Sequence, residues 1–316
     1  MLGTQAGSGA GRLSPTVMMS KQKISGENHM GESAPVAVVT GASRGAGRGI
    51  AIGLGAQGCT VYVTGRSEKA GDATLHGTIH KTAAAVTAAG GKGIAVRVDH
   101  SDDAQTKSLF EQVQAEQGRI DILVNNAAAV YDELTTPGDF WEKPLKLADF
   151  ITVGIRSSYV ASYYAAPMMV AQRSGLVLFT SGSGAVHYVY GAAYGAHKAS
   201  MDKFAHDMGI DFKPHGVNTI SLWMGALLTE RLQQVMDSDP EKYGYLNDMV
   251  ETPEFTGHVI WALYNDPKLS ELSGQTLIGA ELARQYGLTD ADGRQPPSYR
   301  ETHGVIPFVQ YPAVIR

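Results

Sequence analysis

The sequence predicts a doubly wound α/β fold, a parallel sheet of about seven strands with helices on both faces. Three observations carry this expectation. Short apolar runs such as Val36-Ala37-Val38-Val39 are continuous rather than alternating, as in strands buried on both faces. Stretches with helical spacing separate one run from the next. Neither an internal repeat nor an interdomain linker interrupts the series, so residues 34–290 read as one domain.

The elements follow in order. Val36–Thr40 is the first strand, and a glycine loop leads into a helix over Gly45–Gln57. Thr60–Thr64 is the second strand. An alanine-rich helix over Thr78–Ala89 stops at Gly90-Gly91, since glycine readily takes the left-handed cap conformation. Gly93–Val98, a helix over Asp103–Gln117 and the strand Ile120–Val124 come next. A long helix over Leu145–Gln172 precedes the strand Gly175–Thr180, and a helix over Ala193–Phe212 precedes the strand Val217–Leu222. Right-handed crossovers between such units wind the sheet on both sides.

Residues 1–33, rich in Gly, Ser, Lys and Met without apolar period, read as a disordered tail, or as an extension before a later start such as Met30. They contain no apolar stretch of leader type, which favours a cytoplasmic location over secretion. Residues 291–316, with Pro296-Pro297 and Pro307, read as a C-terminal extension that covers the site or packs on a neighbouring subunit. The 316 residues carry 26 Lys+Arg against 31 Asp+Glu, a formal charge of −5, which argues against nucleic acid or an anionic membrane as partner. One cysteine excludes a disulfide framework and a cysteine zinc site. No apolar run is long enough to span a bilayer. The 37 glycines exceed an average share and need a local explanation.

The most informative glycines lie in Thr40-Gly41-Ala42-Ser43-Arg44-Gly45-Ala46-Gly47, between the first strand and its helix. There they permit a tight turn and close approach of backbone to a pyrophosphate, which the helix N-terminus attracts. This is a Rossmann-type dinucleotide site with Gly-x3-Gly-x-Gly spacing. NAD-type sites place a carboxylate at the end of the second strand. Here the strand ends Val63-Thr64-Gly65-Arg66, so Arg66 and Arg44 would fork onto a 2′-phosphate, favouring NADP over NAD. Further on, Tyr194 and Lys198 stand four apart at the start of a helix and share one face. An ammonium beside a phenol favours the phenolate, which suits Tyr194 to proton transfer.

The glycine loop, Asn125-Asn126-Ala127-Ala128 after the fourth strand and Tyr194-x3-Lys198 after the fifth keep the order and spacing of the short-chain dehydrogenase/reductase family. The chain resembles that family over about Pro35 to Gly287. Ser221–Gly225 and Glu281–Arg294 point to one subgroup within it. The resemblance implies that Tyr194 is the general acid in carbonyl reduction and the base in alcohol oxidation. It implies that Lys198 holds the nicotinamide ribose and lowers the tyrosine's pKa. By the same resemblance Asp99 contacts adenine, Asn125 supports the cofactor and the central strands, and Leu227 and Thr229 meet the nicotinamide carboxamide. It also implies a substrate lid over about Leu228–Met249 and a homodimer or homotetramer built on the two long helices.

Four positions depart from the family pattern. A substrate-orienting serine stands about thirteen residues before the tyrosine; counting back gives Ser181, whereas counting forward from Pro167 gives Gly182. Ser181 is the first choice and Ser183 the alternative. Gly154 stands where the family has an asparagine that helps hold a water in a proton relay, Ala128 replaces a glycine, and Met224 a proline. Trp141, His187, Tyr188, Tyr190, Trp223 and Met224 fall in segments that, by the resemblance, surround a pocket for an apolar substrate, although plain packing explains them equally. The ten histidines form no metal set; His197 reads as packing beside Lys198, and Cys59 as a small buried residue. The expected function is NADP(H)-dependent interconversion of a small carbonyl compound and its alcohol. The alternative is an NADP-binding regulatory or scaffold protein with little turnover.

Overall fold

The computed structural model describes residues 34–72 and 75–316, so the expected N-terminal tail lies outside the described residues. At the centre is a seven-stranded parallel sheet in the order β3-β2-β1-β4-β5-β6-β9. Its members are β1 Val36–Val39, β2 Thr60–Gly65, β3 Lys92–Arg97, β4 Ile122–Asn125, β5 Leu176–Ser181, β6 Asn218–Trp223 and β9 Gln275–Ile278. Every residue of β1, β2, β4 and β5 is buried, which is why these strands read as continuous apolar runs. The order reverses between β1 and β4, and crevices that bind ligands open at such a switch point beyond the strand C-termini.

The flanking helices are α1 Gly45–Gly55, α2 Ile79–Ala89, α3 Asp103–Gln117, α4 Ser157–Gln172, α5 Ala192–Phe212 and α8 Pro253–Tyr264. Asp102 caps α3 by accepting from Ala104 and Gln105, and Gly118 closes it in the left-handed region. Helices α1 and α8 pack very closely. A Cβ on Gly49 would stand 2.2 Å from that of Pro253, and one on Gly53 would reach 2.9 Å from Gly257. Part of the glycine excess therefore serves helix packing.

The expected helix over 145–172 is broken. Val153 and Gly154 leave helical geometry, and Gly154 has φ 153°. Ala129 N–H draws the Val153 carbonyl out of the helical ladder at 2.9 Å. Ser157 and Ser158 then satisfy the freed backbone: Gly154 N–H donates to Ser157 Oγ, and Ser158 Oγ donates to Gly154 O. Beyond β6, β7 Ala226–Leu227 pairs with β8 Val250–Glu251 and closes the base of the expected lid segment. Between them lie α6 Glu230–Ser238 and α7 Pro240–Tyr243. Helices α9 Leu269–Leu272 and α10 Gly279–Gln285 follow, then α11 Tyr299–His303.

The C-terminal extension folds back onto its own chain. Arg284 forks onto Glu301, and Arg300 pairs with Glu281, so two ion pairs tie α11 to α10. Asp290 accepts from Thr252 N–H and Thr252 Oγ1, which pins the segment to the start of α8. Among the described residues, no helix is long and apolar enough to cross a membrane.

Candidate active site

Two clusters of side chains meet at the C-terminal ends of the strands. The first is the glycine loop. Gly41 has φ +66°, and a Cβ there would come within 2.7 Å of Ala127 Cα. Gly45 also takes the left-handed region, at φ +55°. Asn126 is the residue that holds this loop: its Nδ2 donates to Thr40 O at 2.9 Å and to Gly41 O at 3.2 Å. Thr40 Oγ1 accepts from the N–H groups of Asn126 and Ala127. Asn125, the residue singled out from the sequence, turns the other way. Its Nδ2 donates to Ser162 Oγ on α4, and its Oδ1 is buried without a hydrogen-bond partner among the described residues.

The N-terminus of α1 demonstrates its affinity for anions within the chain. Glu230 Oε2 accepts from Gly45 N–H at 2.9 Å. Thr229 lies alongside, with its Cγ2 3.6 Å from where a Gly45 Cβ would be. Its hydroxyl accepts from Leu232 N–H and so caps α6, while its own N–H donates to Leu227 O. At the end of β2, Arg44 donates to Ser67 Oγ at 2.8 Å and Gly77 O at 3.0 Å. The exposed guanidinium of Arg66 stands 3.7 Å from Asp99, whose other carboxylate oxygen accepts from Ser101. Arg44, Ser43, Arg66 and Asp99 thus converge at one corner, with Ala46 and Gly47 leading away along α1. The residues fit a dinucleotide: turns that need glycine, a helix end already holding a carboxylate, and two guanidiniums at the end of a strand, β2, that itself ends without an acid.

The second cluster surrounds Tyr194 in the first turn of α5. Tyr190 and Phe150 contact its ring edge-on, at 5.3 Å and 6.0 Å between centroids. Tyr190 has φ 57°, a conformation uncommon for a bulky residue. Lys143 Nζ, which drew no attention in the sequence, donates to Tyr190 O and Leu134 O and fixes this loop. Lys198 is buried; its Nζ donates to Thr180 O at 3.2 Å and lies 5.6 Å over the Tyr194 ring. Burial lowers the Lys198 pKa to about 8, opposed by Asp202. Burial also raises the Tyr194 pKa, with Tyr299 and Tyr190 adding to it. The expected lowering by Lys198 is therefore outweighed: desolvation of a phenolate dominates, and the ammonium sits over the ring face.

Asp202 lies one turn beyond Lys198 on the same face of α5. It accepts from Ser221 Oγ and Trp223 Nε1, locking α5 to β6. The spacing Tyr194-x3-Lys198-x3-Asp202 was a readable signal for it. This also places Trp223 in the core, fully buried, rather than around a pocket. Met224 packs against the core as well, whereas Trp141 and Tyr188 are exposed.

Ser181 does not face Tyr194. Its hydroxyl donates to Lys198 O at 3.1 Å, on the helix side of the strand end. Ser183 is buried beside His187, with Oγ and Nε2 3.0 Å apart. The position aimed at the phenol is Gly182, where a Cβ would sit 3.7 Å from Tyr194 Oη. Gly154 in turn faces His197, whose ring atoms would lie 3.0 Å from a Cβ there. Burial holds the His197 pKa well below its ordinary value, and its Nδ1 has no hydrogen-bond partner among the described residues. His197 thus fills the space opposite Gly154.

Comparison with known proteins fits this geometry. A family model described as short chain dehydrogenase matches residues 35–240. The chain belongs to the short-chain dehydrogenase/reductase family. Members of this family are oxidoreductases that use NAD(P)(H) on small-molecule substrates, and carbonyl–alcohol interconversion is their chemistry. The human protein dehydrogenase/reductase SDR family member 1 is 40% identical over 285 residues, 87% of this chain and 88% of the relative. The 1-cyclohexenylcarbonyl-CoA reductase of Streptomyces collinus is 29% identical over 258 residues, 77% of this chain and 84% of that protein. A solved structure from Xanthomonas campestris superposes with a TM-score of 0.69 at 27% identity, covering 83% of this chain and 92% of that one.

Proposed function

We propose that this short-chain dehydrogenase/reductase interconverts a carbonyl and an alcohol on a small apolar substrate, with NADP(H) as redox partner. The observation that carries the reading is the Tyr194–Lys198 pair, a half-buried phenol beside a buried ammonium, at the same end of the sheet as the glycine loop. The nicotinamide supplies or accepts the hydride when bound. The chain's own residues do the rest. Tyr194, whose burial keeps the phenol protonated at neutral pH, gives its proton to the substrate oxygen in reduction and recovers one in oxidation. Lys198, still largely charged at neutral pH, holds positive charge beside the phenolate as it forms. Ser183 is better placed than Ser181 to donate to the substrate oxygen, because Ser181 is committed to Lys198 O.

The preference for NADP rests on Arg44 and Arg66 at the end of β2, with Ser67 between them and no acid at the strand end. Gly41, Ser43, Gly45, Ala46 and Gly47 would cradle the pyrophosphate, Asp99 would contact the adenine, Asn125 would support the cofactor through the central strands that it ties to α4, and Leu227 and Thr229 would meet the carboxamide. Half-exposed tyrosines 159 and 163 on α4 suit self-association as a homodimer or homotetramer.

The test is NADPH oxidation, followed by absorbance, with a panel of ketones, aldehydes and diones. Turnover that Tyr194→Phe abolishes supports the reading. Tight NADPH binding without turnover of any panel member sinks it and leaves a cofactor-binding regulatory protein.

A further inference from the structure

The C-terminal extension reaches the candidate active site, and this bears on the gap at Gly182. The strand end offers three positions. Ser181 turns to Lys198 O, Gly182 points at Tyr194 Oη without a side chain, and Ser183 turns toward His187. Position 182, the one aimed at Tyr194 Oη, therefore supplies no hydroxyl of its own. Tyr299, first residue of α11, approaches from the other side. Its ring stands 5.8 Å from that of His303, which lies 6.3 Å from the His187 ring beside Ser183, and it lines a small cavity together with Gly225, Ala226 and Met249. Gly225 and Ala226 open the turn that leads to Leu227 and Thr229, so Tyr299 lies between that turn and the Ser183 shelf.

Contacts within the arm and to α10 position Tyr299. Ser298 and Glu301 form a reciprocal capping box around it. Glu301 is held by Arg284 and Arg300 by Glu281, both anchored on α10. Burial raises the Tyr299 pKa to about 12, so its hydroxyl remains a donor at neutral pH.

We propose that Tyr299 supplies, with Ser183, the hydrogen bonds that orient the substrate carbonyl oxygen opposite Tyr194, replacing the side chain absent at Gly182. The inference rests on the carbonyl–alcohol reading above. The proton that ends on the substrate oxygen is Tyr194's; Tyr299 and Ser183 donate hydrogen bonds and keep their protons, so the balance of the reaction is unchanged. A donor aimed at an oxygen that gains negative charge acts on kcat more than on substrate binding. It also makes the C-terminal arm part of the active site rather than an appendage.

The experiment compares the full-length wild type, Tyr299→Phe, Gly182→Ser and the double variant, using the panel member turned over fastest. Tyr299→Phe keeps the ring, so the arm stays packed. It is expected to lower kcat by about tenfold to a hundredfold, with the NADPH dissociation constant and melting temperature unchanged. Gly182→Ser puts a hydroxyl where a Cβ meets Tyr194 Oη at ordinary contact distance, and in the double variant it is expected to recover most of the lost kcat. An unchanged kcat in Tyr299→Phe overturns the inference while leaving the carbonyl–alcohol reading intact. So does a loss that Gly182→Ser does not rescue, or one that follows the melting temperature. A wild type inert toward the whole panel instead overturns the reading on which the inference rests.

Discussion

Glu230 occupies a donor that a dinucleotide would use, and this makes cofactor affinity adjustable from the lid. Its carboxylate accepts from Gly45 N–H at 2.9 Å, at the N-terminus of α1 and beside the Arg44 guanidinium. Pyrophosphate binding at that helix end requires the carboxylate to leave. A hydrogen bond to a charged acceptor contributes about 1.5–3 kcal/mol when well shielded, and a helix end adds about 0.3–1 kcal/mol for a nearby anion. Glu230 is only half-buried, so solvent takes back part of this. A displacement cost of about 1–2 kcal/mol remains, equivalent to about five- to thirtyfold in affinity. Glu230→Gln removes the charge and keeps the shape. Its NADPH dissociation constant, measured by fluorescence titration, is expected to fall by that factor. Because Glu230 also starts α6, the substrate KM is measured alongside. Affinity that is unchanged or weaker in Glu230→Gln refutes the competition between this carboxylate and the cofactor.

Other expectations follow from the same geometry. With Lys198 lowered to about 8 by burial, its charge is lost as pH rises, so the reduction rate of the wild type should fall above about pH 8; a profile flat to pH 10 contradicts this. Arg66→Ala leaves the fold untouched, since the residue is exposed and, among the described residues, its ion pair is with Asp99 at 3.7 Å. It should weaken NADPH about tenfold while sparing NADH, and an equal loss for both cofactors argues against a 2′-phosphate contact. Glu251, buried behind the Gly225 turn, has its pKa raised from 4.5 to about 7 by burial, partly offset by the Gly225 N–H. A raised carboxyl pKa means the folded state holds a proton that the unfolded chain has released, so this contribution is present below 4.5 and lost as pH rises to about 7. Glu251→Gln should therefore be more stable than wild type at pH 8, by up to about 3 kcal/mol, with the gap closing toward pH 5 in chemical denaturation. Equal pH slopes for the two proteins exclude a buried protonation at this site.

The sheet was legible because burial on both faces leaves an uninterrupted apolar run for each strand. Each of the first six expected strands lies within two residues of an observed one. The glycine loop was legible because few residue types tolerate its turns. What stayed hidden depends on side-chain direction and on contacts between distant segments. Asn126, not Asn125, grips the loop, and adjacent residues of a strand end point to opposite sides. The same alternation turns Ser181 away from Tyr194 although its spacing matched the family pattern. The break at Gly154 escaped because serines three and four residues on restore the helical bonding, so the sequence keeps its helical period. Glu230 at α1 and Tyr299 beside Ser183 are pairings across 185 and 116 residues, which no local pattern announces.

The two glycines that break the family pattern are therefore not equivalent losses. At Gly154 the space is taken by the His197 ring, held neutral by burial, so the position is filled by an adjacent helix rather than opened to solvent. At Gly182 a Cβ would meet only Tyr194 Oη among the described residues, and the hydroxyls proposed to serve in its place are those of Ser183 and Tyr299. The arm carrying Tyr299 is attached by ion pairs between half-exposed side chains, Arg284–Glu301 and Arg300–Glu281. Exposed pairs of this kind contribute little each and weaken with salt. A site completed by such an arm should lose kcat at high ionic strength before its fold loosens, whereas a site completed by the sheet would not. High salt that lowers kcat in wild type but not in the Gly182→Ser variant separates the two, because only the former relies on the arm for its oxygen-orienting hydroxyl.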